Sequence, residues 1–211
     1  MERLILIIDP QNAFCREDGS LANAFGTNEL SRISECLIAL ESLLKAHSTP
    51  NEFLLIRSQY RPGQFTGSDL GYPYAKACVP GNKQDCGWSL SEDALAQKRV
   101  VTKFEESAIS APGLLKELRD LVGGGLLNQV LVAGFLTTSC VLKTALDLRR
   151  ELPKSVEVGV LKDFTASRAS NYVASGNKAS RHEAALNEMQ TTGIHIIHGF
   201  SIPAHGDKFV G

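Results

Sequence analysis

The sequence lacks a charge bias, a block of basic residues and a long apolar run. Its 211 residues contain 22 Lys and Arg against 23 Asp and Glu, which gives a formal net charge of −1. This balance argues against nucleic acid or an anionic membrane surface as a partner. The apolar start, residues 1–8, is too short to span a bilayer, and Asp9 and Pro10 follow it at once. No signal-peptide pattern develops, and we expect a cytoplasmic protein.

Paired cysteine motifs are also missing. The chain has five cysteines at irregular spacing and no CxxC pair: Cys15, Cys36, Cys78, Cys86 and Cys140. Without an export signal, we expect reduced thiols and no disulfides. Cys78, Asp85 and Cys86 are near one another in sequence, but their spacing fits no usual zinc pattern. We therefore predict no metal and no cofactor.

What the sequence does have is a regular alternation of two patterns. Continuous apolar runs predict buried strands over residues 3–8, 53–57, 99–102, 130–134, 156–161 and 194–197. Apolar residues at helical spacing predict helices over residues 28–47, 112–122, 140–150 and 178–192. The alternation predicts an α/β fold of three layers, α/β/α, in a single domain over residues 1–211. Its central sheet should be six-stranded, mainly parallel and Rossmann-like in topology.

Two stretches depart from this alternation. Residues 58–98 form a long connection that contains Tyr60 and Trp88. Connections of this length in a compact domain are usually functional or disordered, and the aromatic content favours ordered packing near a site. An ordinary surface excursion with a few anchoring aromatics is the alternative. The tail, residues 199–211, is polar and contains Gly and Pro, so it is either loose or packed on a neighbour.

Three chemically active side chains follow predicted strands. Asp9 comes after the first strand, Lys103 after the third, and Cys140 after the fourth, where a helix begins. Carboxyl ends of parallel strands meet at one edge of a sheet, so these side chains can converge on one crevice. A helix start favours the thiolate form of cysteine, which is the nucleophile. Taken singly, each residue has a plainer interpretation. Asp9 could cap a turn, Lys103 could be a solvated strand end, and Cys140 could be a small apolar side chain that fills the core.

Three motifs around these residues resemble the isochorismatase-like cysteine hydrolases, a family that includes nicotinamidases and N-carbamoylsarcosine amidohydrolase. Residues 6–14 read Leu-Ile-Ile-Asp-Pro-Gln-Asn-Ala-Phe, and residues 100–108 read Val-Val-Thr-Lys-Phe-Glu-Glu-Ser-Ala. Residues 134–145 contain the Gly-to-Thr turn, Cys140 and a Thr-Ala pair. Asp163 and His182 form a weaker fourth match, in which we expect His182 to be structural and to pack against Asp163 or a strand end.

The resemblance implies a role for each motif residue. Asp9, Lys103 and Cys140 would form a catalytic triad, with Asp9 as base, Lys103 as its charge partner and Cys140 as the nucleophile that forms a thioester. A cis peptide is implied between Phe135 and Leu136, and the backbone N–H groups of Leu136 and Cys140 would form the oxyanion hole. The resemblance also implies a homodimer or homotetramer.

The chain departs from the nicotinamidases at their metal ligands. Those enzymes carry Asp-x-His after the second strand, where this chain has Ser58-Gln59-Tyr60, and it has no histidine between His47 and His182. We therefore expect a metal-independent hydrolase that cleaves a C–N bond in a small carboxamide, carbamoyl or ureido compound. The alternatives are an ester or isochorismate-type hydrolase on the same scaffold, and a non-catalytic or redox protein that retains the fold.

Side chains near the three motifs are candidates for the wall of a small-molecule pocket, with core packing as the alternative for the aromatic ones. They are Gln11, Phe14, Tyr60, Trp88, Phe135 and Thr137.

Overall fold

The structure is a computed structural model and describes residues 2–47, 52–65 and 77–200. Its six strands are β1 (Arg3–Ile8), β2 (Phe53–Ser58), β3 (Arg99–Lys103), β4 (Gln129–Phe135), β5 (Glu157–Ala166) and β6 (His195–Ile197). They form one sheet in the order β3-β2-β1-β4-β5-β6, and every neighbouring pair is parallel. The predicted six-stranded parallel sheet is confirmed, and its Rossmann-like strand order reverses between β1 and β4.

The α-helices that surround this sheet lie in the connections between strands. In the described residues they span Asn12–Cys15, Ser20–Phe25, Ser31–Ala46, Lys83–Cys86, Glu92–Leu95, Leu114–Gly123, Leu142–Glu151 and Arg181–Thr191. Two of these, Lys83–Cys86 and Glu92–Leu95, lie in the connection between β2 and β3 that the sequence presented as irregular. None of the described helices has the length and apolar character needed to cross a membrane.

Alternate residues of the strands face two separate apolar layers, because successive side chains of a strand point to opposite faces. On β1, Ile5 and Ile7 pack with the helix Ser31–Ala46 and with aromatic residues of the β2–β3 connection. Leu6 and Ile8 pack with helices 114–123, 142–151 and 181–191 on the other face. The three-layer α/β/α architecture is therefore confirmed.

The reversal of strand order brings β1 and β4 into close contact at their carboxyl ends. Gly134 pairs with Ile8 and has a φ of +101°. A Cβ at this position would lie 2.2 Å from the Ile8 carbonyl oxygen, so only glycine fits. This contact fixes the ends of two strands, and each of them is followed by a residue of the predicted triad.

Candidate active site

Asp9 follows β1 directly and is completely buried. Its backbone N–H donates to the Ile56 carbonyl oxygen at 2.9 Å, which extends the pairing with β2 by one residue. Its φ is +51°, in the left-handed region that residues other than glycine seldom adopt. The chain turns sharply at this point, and the carboxylate stays at the carboxyl edge of the sheet.

Lys103 is the last residue of β3 and is also completely buried. Its Nζ lies 3.0 Å from Asp9 Oδ2, 3.1 Å from the Tyr60 hydroxyl, 3.1 Å from the Glu105 carbonyl oxygen and 3.4 Å from Cys140 Sγ. β2 separates β3 from β1, so the long lysine side chain reaches across one strand. The structure therefore brings Asp9, Lys103 and Cys140 together, as their positions after the strands predicted.

Cys140 lies in a short π-helical turn, Thr137–Val141, which leads into the helix Leu142–Glu151. The peptide bond between Phe135 and Leu136 is cis, as the resemblance implied. The Leu136 carbonyl oxygen accepts from the N–H groups of Ser139 and Val141 at 3.0 and 3.1 Å. These bonds fold the turn so that the sulfur faces Lys103.

Asp9 and Lys103 form an ion pair without contact with solvent, and the charges stabilise each other. Burial raises the pKa of Asp9 above its usual value, although Lys103 opposes this effect. Burial alone would lower the pKa of Lys103, but the Asp9 carboxylate opposes this effect and the pKa is raised. Asp9 is therefore a carboxylate of increased basicity held by an ammonium group.

The prediction that Cys140 favours the thiolate is wrong for the resting site. Burial raises the pKa of the Cys140 thiol to about 11, and the Asp9 carboxylate adds to this shift while Lys103 opposes it. The turn at Cys140 is buried and next to a carboxylate, and desolvation disfavours a charged sulfur more than the helix start favours it. The resting site therefore contains a thiol, a carboxylate and an ammonium group, with no net charge.

Sequence reasoning missed Ser58, which donates to Asp9 Oδ1 at 2.9 Å. Its oxygen lies 2.8 Å from the Tyr60 hydroxyl, and that hydroxyl lies 3.6 Å from Cys140 Sγ. Both side chains are buried. The position of Ser58 in the sequence could have indicated this role. Ser58 ends β2, which lies between β1 and β3, so a polar side chain there reaches the same carboxyl edge of the sheet as Asp9 and Lys103.

A small cavity of about 20 Å³ opens beside the sulfur. Its wall consists of Phe14, Tyr60, Phe65, Glu106, Leu136, Ser139 and Cys140. Phe14 and Tyr60 therefore line this cavity, and their contact with a substrate stays a prediction. Glu106 was not predicted, and its carboxylate accepts from Ser139 Oγ at 2.8 Å and pairs with Lys143.

The other predicted pocket residues lie outside the wall of this cavity. The Gln11 side chain bonds the backbone of Ser58 and Cys86, at 2.7 Å from the Ser58 N–H. Trp88 pairs with Gln11 through a backbone bridge, Phe135 is fully buried in the core, and Thr137 bonds Thr165 at 3.1 Å. In this structure they support the site, and contact with a substrate remains a prediction for each. The same holds for the oxyanion hole of Leu136 and Cys140.

Residues at the position of the nicotinamidase ligands do not fit a metal ion. Ser58 and Tyr60 are hydroxyl donors that bond Asp9 and each other, and Lys103 places a positive charge 3.1 Å from the Tyr60 oxygen. Among the residues that the structure describes, no group of three His, Cys, Asp or Glu side chains could hold a metal. Asp85 instead accepts from the Ser20 N–H at 3.1 Å and from Asn82.

His182 lies in the helix Arg181–Thr191 and is buried. Its ring stacks on Tyr172 with centroids 4.1 Å apart, and burial lowers its pKa to about 4. It is therefore a neutral, packed side chain, as expected, although its packing partner is Tyr172.

A buried thiol, carboxylate and ammonium group at the switch point of a parallel α/β sheet define the class of site, one equipped for nucleophilic hydrolysis. The family model of the isochorismatase domain matches residues 3–199. The chain therefore belongs to the isochorismatase family and is a hydrolase of that family, as the motifs around Asp9, Lys103 and Cys140 predicted. No curated protein sequence matches it significantly.

Solved structures share the fold at low sequence identity. The pyrazinamidase of Pyrococcus horikoshii in complex with zinc is 23% identical with a TM-score of 0.65, over 94% of this chain and 99% of that one. The nicotinamidase of Bacillus subtilis is 19% identical with a TM-score of 0.65, over 93% and 99%. A cysteine hydrolase from Pseudomonas syringae pv. phaseolicola is 18% identical with a TM-score of 0.64, over 92% and 87%. At these identities the likeness shows the fold alone.

Proposed function

We propose that this protein is a metal-independent cysteine hydrolase that cleaves the C–N bond of a small carboxamide, carbamoyl or ureido compound. The observation that carries the proposal is the cluster at the sheet edge: Lys103 Nζ lies 3.0 Å from Asp9 Oδ2 and 3.4 Å from Cys140 Sγ, with both charges fully buried. A buried ion pair next to a thiol is costly as a purely structural device. It is well suited to moving one proton without a change in net charge.

The first half-reaction begins with transfer of the thiol proton to Asp9 as sulfur attacks the carbonyl carbon. Lys103 Nζ lies 3.0 Å from Asp9 Oδ2, and a carboxylate oxygen has a second lone pair that can take the proton. The C=O π electrons move to oxygen, which the Leu136 and Cys140 N–H groups would stabilise. The oxyanion then collapses, the C–N bond breaks, and Asp9 returns the proton to the leaving nitrogen.

Water completes the cycle. Asp9 takes a proton from a water molecule as the water oxygen attacks the thioester carbonyl carbon, and the C–S bond then breaks. The proton passes from Asp9 to the departing sulfur, which restores the thiol. The balanced outcome for a carboxamide is an acid and ammonia, and Lys103 keeps its charge throughout.

The cavity wall favours a small, flat substrate with N–H donors. Phe14, Tyr60 and Phe65 supply aromatic surface, and Glu106 supplies a carboxylate that can accept from an amide or ureido N–H. The volume of about 20 Å³ holds roughly one water molecule, so even a small substrate requires the wall side chains to shift.

The test is ammonia release from a panel of small carboxamides, carbamoyl and ureido compounds, with esters and vinyl ethers included. We expect turnover of at least one C–N substrate by the wild type and none by Cys140→Ala. Cys86→Ala is the matched control, since this thiol lies outside the cluster and should be dispensable. Turnover by Cys140→Ala would contradict the proposal, and cleavage restricted to esters or ethers would favour the alternative chemistry. The expected homodimer or homotetramer can be checked by sedimentation velocity on the same preparation.

A further inference from the structure

Ser58 and Tyr60 form a continuous hydrogen-bonded path between the two ends of the proposed proton transfer. Ser58 is the last residue of β2 and Tyr60 follows two residues later, and their hydroxyls meet at 2.8 Å. The path runs from Asp9 Oδ1 to Ser58 Oγ at 2.9 Å, then to the Tyr60 hydroxyl at 2.8 Å, then to Cys140 Sγ at 3.6 Å. The backbone N–H of Tyr60 donates to the Cys78 carbonyl oxygen at 3.2 Å and helps to hold the ring in place.

Counting hydrogens assigns a direction to each bond of this path. The Asp9 carboxylate can only accept, so the single Ser58 hydroxyl hydrogen is committed to it. The contact between Ser58 and Tyr60 is then donated by the phenol. Lys103 donates to the Tyr60 oxygen at 3.1 Å and therefore cannot accept the phenol hydrogen. The remaining acceptors within reach of that hydrogen are Ser58 Oγ and Cys140 Sγ. While Cys140 is a thiol, the shorter bond to Ser58 is favoured.

We propose that the Tyr60 hydroxyl is a catalytic group that turns its hydrogen from Ser58 to Cys140 as the thiolate forms. A hydroxyl hydrogen rotates without movement of heavy atoms, so the response costs little reorganisation. The sulfur then has two donors, Tyr60 and Lys103, while Ser58 continues to donate to Asp9. Burial raises the pKa of Tyr60 well above its usual value, so the phenol keeps its proton throughout.

This proposal accounts for the residues found where nicotinamidases have metal ligands. Ser58 and Tyr60 occupy those positions with hydroxyls that are engaged by Asp9 and Lys103. At the carboxyl end of β2, Ser58 therefore contacts Asp9 and Tyr60 contacts Cys140. In the proposal, the Tyr60 hydroxyl acts on the Cys140 sulfur itself.

The test measures the rate at which iodoacetamide alkylates Cys140, followed on its peptide by mass spectrometry across the pH range in which the protein stays folded. Tyr60→Phe keeps the ring and removes the donor, so we expect alkylation about tenfold slower at each pH, as for loss of a hydrogen bond to a charged group. The value of kcat/KM should fall by a similar factor. Tyr172→Phe is the matched control, a half-buried phenol whose oxygen accepts from the Ser167 N–H at 3.3 Å.

Ser58→Ala should change alkylation in the opposite sense. Without Ser58 the phenol hydrogen has only Cys140 as its partner, and Asp9 becomes more basic, so alkylation should be at least as fast as in the wild type. Simple loosening of the site would speed alkylation in both variants. An unchanged or faster rate in folded Tyr60→Phe would overturn the proposal, as would a slower rate in Ser58→Ala.

The meaning of this result for turnover depends on the proposed function, but alkylation requires no substrate. If the wild type hydrolyses no C–N compound and Tyr60→Phe still slows alkylation, the proposed function fails and the role of Tyr60 as a donor to the Cys140 sulfur stands. If turnover depends on Cys140 while alkylation ignores Tyr60, the proposed function stands and the role of Tyr60 fails.

Discussion

At the scale of single residues, the proposed reaction depends on whether Cys140 or Asp9 holds one proton. Cys140 holds it in the resting site because burial raises the pKa of the thiol to about 11, and the Lys103 ammonium group 3.0 Å away favours the charged form of Asp9. Transfer from sulfur to Asp9 leaves the buried cluster neutral before and after. In the proposed mechanism, this neutrality is what allows a thiol with a raised pKa to act as a nucleophile near neutral pH.

The protonation states that Asp9 and Cys140 need for the reaction predict a bell-shaped dependence of kcat/KM on pH. At low pH Asp9 is protonated and cannot accept, so activity should rise as pH increases through the Asp9 pKa, which burial raises above 3.8. At high pH Cys140 has lost the proton that the leaving nitrogen needs, so activity should fall near pH 11. The measurement is kcat/KM over the range in which the wild type stays folded. A plateau that ends near neutral pH because of a low thiol pKa would contradict this assignment.

At the scale of elements, the helix Arg181–Thr191 begins with a capping box. Ser180 accepts from the Glu183 N–H at 3.2 Å, and Glu183 accepts in return from the Ser180 N–H at 3.0 Å, which completes a capping box. The bond lowers the pKa of Glu183, so the cap is charged at neutral pH.

Ser180→Ala should lower the free energy of unfolding by about 1 kcal/mol, because the Glu183 N–H at the helix start loses its acceptor, the Ser180 hydroxyl. The measurement is urea denaturation at neutral pH. Ser42→Ala is the matched control, since Ser42 is in the body of a helix and bonds only the Ile38 carbonyl oxygen; its removal should change stability by less than about 0.5 kcal/mol. Equal effects of the two substitutions would show that the cap contributes nothing.

The elements were predictable where one physical signal dominated. Continuous apolar runs placed all six strands to within a few residues, apart from β5, which extends to Ala166 beyond the predicted end at residue 161. The extra residues begin with the half-buried Lys162 and the exposed Asp163, so hydrophobicity alone could not assign them. The π-helical turn at Cys140 was also beyond prediction, because its hydrogen bonds depend on the backbone at Leu136.

The sequence allowed the location of the three site residues to be predicted, but not the hydrogen-bond network around them. Parallel-sheet geometry alone places Asp9, Lys103 and Cys140 at one edge, which the structure confirms. Which polar neighbours complete the network depends on side-chain directions that sequence spacing does not give. For this reason Ser58 and Glu106 were missed, and Gln11 was assigned to the pocket although its amide holds the backbone of Ser58.

At the scale of the whole molecule, the site depends on the contact between β1 and β4, where the strand order reverses. Gly134→Ala should lower the free energy of unfolding by about 3 kcal/mol or more, because its Cβ would lie 2.2 Å from the Ile8 oxygen and its φ is +101°. Gly123→Ala is the control: its Cβ would meet no atom within 4 Å at a helix end, and stability should rise by up to about 1 kcal/mol. Chemical denaturation of both variants decides, and a tolerated Gly134→Ala would show that the two strands can separate without cost.

The most direct test of the central claim is the mass of the protein during turnover. The wild type is mixed with a hydrolysed carboxamide, quenched in acid within one turnover, and measured intact and as peptides. We predict an added acyl group on the peptide that contains Cys140, formed together with the first ammonia released and absent in Cys140→Ala. Hydrolysis at the same rate with Cys140 unmodified, or with the acyl group on another residue, would contradict the account.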